Sequence, residues 1–326
     1  MKAYQQNERI DTLDYLRGFA LLGIILVNIL ALLSARKPLL DTPDATYQRF
    51  LFLFVEGRFY PIFSFLFGVG MYIFLTKAEE KGKNAPVLFL RRIIVIFIFG
   101  FVHFLFQPGE ALTVYASCGL ILLPFYKVKK ELNLVMGILL LILFALFTMK
   151  IFMTLPLMLL GLAVGQYRIF EEIKQKRRQI AIFTGLVFIL GTLGLLFQYQ
   201  HVPAKPFNPF QSNQFLIIGI MIGPILSAFY VGTLILLLQQ RFFQKLLLPL
   251  KSYGRMSLTN YVSQTAFILI AGNAINLYWK ISYFQTLYIC IIIYIIQLVF
   301  SAVWLHFYRY GPLEWILRLA TYKEKP

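Results

Sequence analysis

The sequence predicts an all-α protein, a polytopic helical membrane bundle of about ten transmembrane helices with both termini cytoplasmic. Three observations predict it. Of 326 residues, 59% are hydrophobic and only 14% charged, with a mean hydropathy of +0.73; soluble domains run at roughly 45–50% apolar and about 25% charged. Apolar runs long enough to cross a bilayer recur along the chain, a span needing about 20 residues to cover roughly 30 Å at about 1.5 Å per residue. Lys and Arg are distributed unevenly between alternate connections. A soluble globule, a disordered chain and a disulfide-stapled secreted scaffold are thereby excluded. Cys118 and Cys290 both lie in apolar runs, so neither a disulfide framework nor a metal site is expected.

Ten spans follow from this rule, at roughly 15 to 35, 51 to 76, 87 to 106, 111 to 126, 132 to 149, 151 to 167, 180 to 197, 215 to 238, 256 to 278 and 283 to 307. The fourth and sixth are short, so one of them is expected to stand upright or to be partly re-entrant. With the N-terminus inside, the inner segments hold 24 of the 31 Lys and Arg, including Lys2 and Arg9 before the first span and Lys325 after the last. The outer side holds seven: Arg36, Lys37, Arg49, Arg58, Lys150, Lys205 and Lys280. Because the excess repeats at every inner connection, a cysteine placed at Lys174 is expected to react with a membrane-impermeant reagent only from the cytoplasmic side. Labelling from outside would overturn the whole topology. The chain is read as one integral membrane domain over residues 1–326, multi-pass in the cell membrane, with the candidate site in the N-terminal half 1–130 and the half 131–326 completing it. The net charge of +17 then orients helices against anionic lipid; membrane lipids are the expected partner and nucleic acid is not.

Polar groups inside or at the ends of spans carry the functional information, because lipid makes them costly. The first span is preceded by Asp14 and Arg17, three apart and so on one helix face, where they can pair at the inner boundary. Its apolar run is too long for a signal sequence, and it contains Asn28, whose amide must face another helix or a cavity. Interhelical bonding and substrate orientation are both open for it. At the outer start of the second span, Glu56 and Arg58 flank Gly57 and, two apart, must find partners elsewhere; His103 and Glu110 are expected at the same depth. Ser64, Gly68 and Gly70 further along that span suit close helix approach.

His103 ends the third span, with Glu110 seven residues on across the Gln107, Pro108, Gly109 turn. A helical imidazole with a carboxylate beside it makes a base whose tautomer its partner sets. A buried His bonded to a backbone carbonyl is the competing reading. His201 falls in the outer connection 198 to 214, a proline-bearing loop, and His306 at the inner end of the last span, where a cation suits a helix C-terminus. After it, Gly311 and Pro312 break the helix, so that a short interfacial helix is expected with Glu314 and Arg318 paired on its wet side. No phosphate-binding loop, dinucleotide fingerprint, paired-His zinc motif or nucleophile elbow is present.

Several stretches together resemble one family. The Arg9 to Gly18 run with Gly23, Val27 and Asn28 is one; Phe63 to Gly68 is another. Arg91, Arg92, Gly100, His103, Gly109, Glu110, Tyr115 and Ala116 form a third, with Pro156, Leu159, Leu160 and Gly161 following. Gly254 to Tyr261 with Asn260 and Gln264, and Gly311 to Glu314 with Trp315 and Arg318, complete it. In order along the chain these resemble the YeiB-like integral membrane proteins, the domain-of-unknown-function family DUF418, except that the family usually has Asp where this chain has Glu110. The resemblance extends to membrane acyltransferases of the heparan glucosaminide acetyltransferase type, in which an Asn on the first helix and a downstream His carry the chemistry. Asn28 matches that motif, and His103 matches by role.

The resemblance implies a membrane-embedded acyltransferase with acyl-CoA as donor substrate and no covalently bound cofactor. His103 would be the base, Glu110 its orienting carboxylate and Asn28 the group holding the acyl carbonyl of a chain transferred to an extracytoplasmic acceptor. Asp14, Arg17, Glu56, Arg58, Tyr115, Asn260 and Gln264 would line or brace the pocket. A non-enzymatic transporter or lipid-handling protein is the alternative.

Overall fold

The computed structural model describes residues 10–203 and 209–323. The basic residues Lys2, Arg9, Lys205 and Lys325, Pro206 of the outer loop and the termini themselves lie outside them. Among the described residues the chain is helical, with one isolated bridge between Arg36 and Ser282 in place of any sheet.

The helices are α1 (Asp11–Leu32), α2 (Pro43–Phe54), α3 (Phe59–Glu80), α4 (Ala85–Phe104), α5 (Leu112–Leu122) continued by a 3-10 turn (Leu123–Lys127), α6 (Lys130–Leu146) and α7 (Thr154–Gln166). They continue with α8 (Arg177–Tyr199), α9 (Pro209–Leu237), α10 (Arg241–Leu246), α11 (Leu248–Arg255), α12 (Ser257–Ala274), α13 (Tyr283–Phe307) and α14 (Pro312–Tyr322). Their starts follow local chemistry. The Thr42 and Asn84 side chains accept the amides of Ala45 and Val87, and Ser282 with Gln285 forms a reciprocal capping box on α13, each satisfying donors that a helix start leaves open.

Each predicted span coincides with a helix, with one correction. The second, 51 to 76, runs across a break: α2 ends at Phe54, Gly57 takes a φ of +76°, and α3 starts at Phe59. The apolar run continues through the turn, so hydropathy alone does not register it. The helices α2, α10 and α11 were not predicted. Among the described residues, six segments are long and apolar enough to cross a membrane: Asp11–Leu32, Pro43–Glu80, Ala85–Phe104, Arg177–Tyr199, Phe210–Leu237 and Tyr283–Phe307. Leu112–Lys127 and Thr154–Gln166, the fourth and sixth runs, are shorter. A short helix is tolerable at α7 because protein surrounds it: Pro156 to Leu159 and Gly161 to Ala163 are buried. By contrast α8 exposes Ile182, Phe183, Leu186, Ile189, Leu190, Leu193 and Phe197 along its length, the surface a lipid-facing helix presents.

Backbone approach organises the centre. A Cβ on Gly68 would stand 1.9 Å from the Met158 carbonyl oxygen, and one on Gly161 2.0 Å from that of Phe65, so α3 and α7 cross at a spacing only glycine permits. The same holds where α11 presses on α1, with Gly254 against Asp14 and Gly18 against Leu250.

Contacts between helix ends sort them into two sets. Lys251 pairs with Asp11, Lys127 with Glu79, and Arg255 donates to the Arg309 carbonyl, all on the side assigned inside. Lys150 pairs with Glu56, Arg58 donates to Gln198, and Arg36 donates to the Trp279 carbonyl, all on the side assigned outside.

At the C-terminus the helix does break, α13 ending at Phe307 and α14 opening on Pro312. The expected Glu314–Arg318 pair is absent. Glu314 instead accepts from the amides of Leu258 (2.7 Å) and Thr259 (3.2 Å) and from the Thr259 hydroxyl (2.6 Å). Three donors at the start of α12 outcompete one partly solvated cation, whose pairing is worth at most about 1 kcal/mol.

Candidate functional site

A cavity of about 680 Å³ lies between α1, α3, α4, α11, α12 and α14. Its mouth is cationic, with Lys77, Lys81, Lys83, Arg309 and Arg318, on the side the charge count assigns inside. Further in stand Asp14, Arg17 and Arg92, then an apolar stretch of Phe63, Leu66, Phe67 and Ile96, ending at Ala111, Leu112, Tyr115 and Tyr261. Asp14 and Arg17 pair at 3.1 Å as their spacing predicted.

Immediately behind that inner end sits the predicted imidazole–carboxylate pair. His103 Nδ1 is 3.7 Å from Glu110 Oε1, and their side chains are 3% and 0% exposed. The Tyr261 ring stands edge-on to the imidazole at 5.1 Å, and its hydroxyl accepts from the Ala111 amide. Tyr261, Ala111 and Leu112 thus partition the cavity from the pair. Glu110 also closes the start of α5, accepting from the Leu112 amide, the Thr113 amide (2.8 Å) and the Thr113 hydroxyl (2.9 Å). Burial in the α4–α5 connection pushes its carboxyl up, but hydrogen bonds, those from the two amides and the Thr113 hydroxyl among them, outweigh burial and hold it below the usual carboxylate range, so it is the anion.

The tautomer of His103 follows from proton counting. Thr265 has one hydroxyl proton and donates it to Gln107 Oε1. It must therefore accept at its 2.9 Å contact with His103 Nε2, which puts the ring proton on Nε2. Nδ1 is left without a hydrogen-bond partner among the described residues and faces Glu110. A proton taken up at Nδ1 is thereby set against a carboxylate, the arrangement a general base requires. The carbonyl-bonded reading of His103 is not what the fold contains.

His103 stands in the last turn of α4, as expected, yet the pair meets the neighbouring helices near their middles. Thr265 is at the middle of α12, not its outer end, and neighbouring Gln264 reaches the Leu21 carbonyl at the middle of α1. Glu56 and Arg58 do not join it: Glu56 pairs with Lys150, and Arg58 donates to Gln198 Oε1 and to the carbonyl of Gly219, each at 2.9 Å. Asn28 was expected in one cavity with His103 and Glu110. None of the three lines the 680 Å³ cavity, and Asn28 lies seven residues beyond Leu21, about 10 Å further along α1. Its amide is half-buried and makes no hydrogen bond among the described residues, so it does not serve as interhelical glue.

Tyr115 lines the cavity and donates to the Tyr60 carbonyl at 3.4 Å. Asn260 and Gln264 belong to a buried polar net instead: Asn260 donates to Tyr253 O and Ser301 Oγ, both at 2.9 Å, Gln264 to Tyr253 Oη at 2.6 Å, and Tyr253 to Gln297. Their role is to lock α11, α12 and α13 together. Sequence reasoning missed Tyr261, Thr265 and Gln107. The signal was present in the i, i+4 spacing of Tyr261 and Thr265, one residue round the helix from Asn260 and Gln264.

The model of the family described as "Protein of unknown function (DUF418)" matches residues 164–324. An uncharacterized 39.9 kDa protein from the amylase 3′ region of Bacillus acidopullulyticus is 60% identical, over 98% of this chain and 95% of its own length. Uncharacterized protein YxaH of Bacillus subtilis (strain 168) is 29% identical over 97% of this chain and 95% of its own. Uncharacterized protein YeiB of Escherichia coli (strain K12) is 25% identical over 96% of each. No solved structure matches this chain.

Proposed function

The chain belongs to the YeiB-like DUF418 family, and from that starting point we propose that it is a membrane-embedded acyltransferase carrying an acyl group from cytosolic acyl-CoA to an acceptor reached from the outer side. One observation carries the proposal: a cavity with a cationic mouth and an apolar inner end stops one aromatic ring short of a base poised against a carboxylate. The phosphates of the donor sit at the mouth, and its acyl end occupies the stretch between Phe67 and Tyr115. Turning of the Tyr261 side chain joins the cavity to His103.

The acceptor hydroxyl or amine gives its proton to Nδ1 as it attacks the thioester carbonyl, and the coenzyme A thiolate leaves. Glu110 holds the resulting imidazolium. Asn28, about 10 Å outward along α1 and with its amide uncommitted among the described residues, is assigned to the acceptor rather than to the acyl carbonyl.

Calorimetry on the purified chain with acyl-CoA of graded chain length tests the donor. Saturable binding that strengthens with chain length up to a limit set by the closed inner end is the expected result. No heat at any length would remove the enzyme reading and leave the transport or lipid-handling one.

A further inference from the structure

Three arginines of the cavity wall stand on aromatic rings with no carboxylate ion pair among the described residues: Arg309, exposed and 5.6 Å from the Tyr310 ring centre, and the more enclosed Arg92 and Arg318. The Arg92 guanidinium on α4 lies over the Phe74 ring at 5.5 Å. Arg318 on α14 sits against the Tyr310 and Tyr322 rings, 4.9 Å from each. Phe74 and Tyr322 are themselves neighbours, with centroids 6.1 Å apart, so the two platforms are continuous. Arg17, across the cavity on α1, is close enough to repel Arg92, as is Arg318.

What these side chains do with their donors separates them from the other interior arginines. Arg58 spends its N–H groups on Gln198 and Gly219, Arg17 on Asp14, and Arg255 on the Arg309 carbonyl. Among the described residues Arg92 and Arg318 make no hydrogen bond and no ion pair. An aromatic face holds a guanidinium through its π surface and leaves the in-plane donors unused. The nearest carboxylate, Glu314, is occupied by Leu258 and Thr259. Asp14 pairs with Arg17 and Glu314 draws on Arg92, but cations outnumber carboxylates along this wall; gathered like charges repel, and an anion seated among them offsets that repulsion.

We infer that Arg92 and Arg318, with Arg17 opposite, form a phosphate subsite for an amphiphile whose diphosphate or phosphodiester lies among the guanidinium groups and whose apolar tail runs toward Tyr115 and Tyr261. Planar guanidinium forks match paired phosphate oxygens, and beyond them the wall turns apolar at Leu66, Phe67 and Ile96. The inference rests on the reading of this cavity as a ligand site and names the chemistry of its polar end. Two sources carry that chemistry, a coenzyme A thioester from the cytosol and a phospholipid from the inner leaflet.

The full chain in maltoside micelles is titrated with coenzyme A, palmitoyl-coenzyme A and phosphatidic acid. Arg92→Gln and Arg318→Gln should each weaken the bound probe by roughly 10- to 100-fold, the range for losing a charge-assisted bond, and Arg92→Lys by less. Lys129→Gln, at an exposed cation outside the cavity, should change nothing. Binding of the coenzyme and its thioester identifies the cytosolic source. Binding of phosphatidic acid alone keeps the subsite and overturns acyl transfer. No binding of any probe, unchanged affinity in the Gln variants, or an equal loss in Lys129→Gln overturns the subsite. Where a Gln variant fails to fold, Arg92→Lys and Arg318→Lys decide: affinity equal to the unmodified chain in both counts against the fork geometry.

Discussion

Gly68→Ala and Gly161→Ala are each expected to destabilise the bundle by about 1–3 kcal/mol, the usual cost of overpacking. The added methyl would stand 1.9 Å from the Met158 carbonyl oxygen in the first case and 2.0 Å from that of Phe65 in the second. Both obstacles are backbone, which no rotamer change can move aside. The helices α3 and α7 must separate, and every side chain packed across the crossing loses contact. In membranes such close approach is itself the source of helix association, since lipid supplies no hydrophobic drive between helices. The matched control is Gly185→Ala on α8, where a Cβ meets nothing within 4 Å and alanine's better helix propensity favours the variant by roughly 0.5–1 kcal/mol. Thermal unfolding in detergent should therefore move in opposite directions for the two classes. A Gly161→Ala midpoint at or above that of Gly185→Ala would mean that α3 and α7 do not cross as closely as described. Because α3 supplies Phe63, Phe67 and Gly70 to the cavity wall, the destabilised variants should also lose ligand binding.

The ten apolar runs were legible because burial in lipid leaves hydropathy as a direct record of each helix. What hydropathy cannot record is a turn made of apolar residues, hence the missed break at Gly57 between α2 and α3. Counting Lys and Arg assigned Arg92 and Arg318 to one end of the helix set but did not say that they look into a cavity, since sidedness depends on number and orientation on helix phase. Glu314 shows the limit of local pairing rules. Its i+4 neighbour Arg318 was a sound partner for an isolated helix, but the start of α12 offered two amides and a hydroxyl that only the tertiary fold brings near. The His103–Glu110 pair was legible because the turn at Gln107 to Gly109 closes their seven-residue separation within one connection. Asn28 was placed by motif, which fixes its helix and not its distance from His103 across the bundle.

His103→Ala is expected to lower acyl transfer by about 10² to 10⁴-fold, the contribution of a positioned general base, while leaving donor binding in place. The two effects separate because the donor's phosphates are assigned to Arg92 and Arg318, whereas His103 lies behind Tyr261 beyond the cavity's apolar inner end. The substitution also leaves its neighbours supplied: Thr265 keeps Gln107 as acceptor, and Glu110 keeps the Leu112 and Thr113 donors. Only the imidazole volume and one hydrogen bond are lost, so the fold should survive. His306→Ala provides the comparison, because His306 is exposed at the end of α13 and packs edge-on to the Phe307 ring, away from the cavity lining; its activity should match the unmodified chain. Should the alanine variant fail to fold, His103→Gln is read in its place. Its side-chain amide can donate to Thr265 as Nε2 does, yet it has no atom that can take up a proton at neutral pH. A folded His103→Gln protein that transfers acyl groups at an unchanged rate would place the base elsewhere and reduce the His103–Glu110 pair to a brace between α4, α5 and α12.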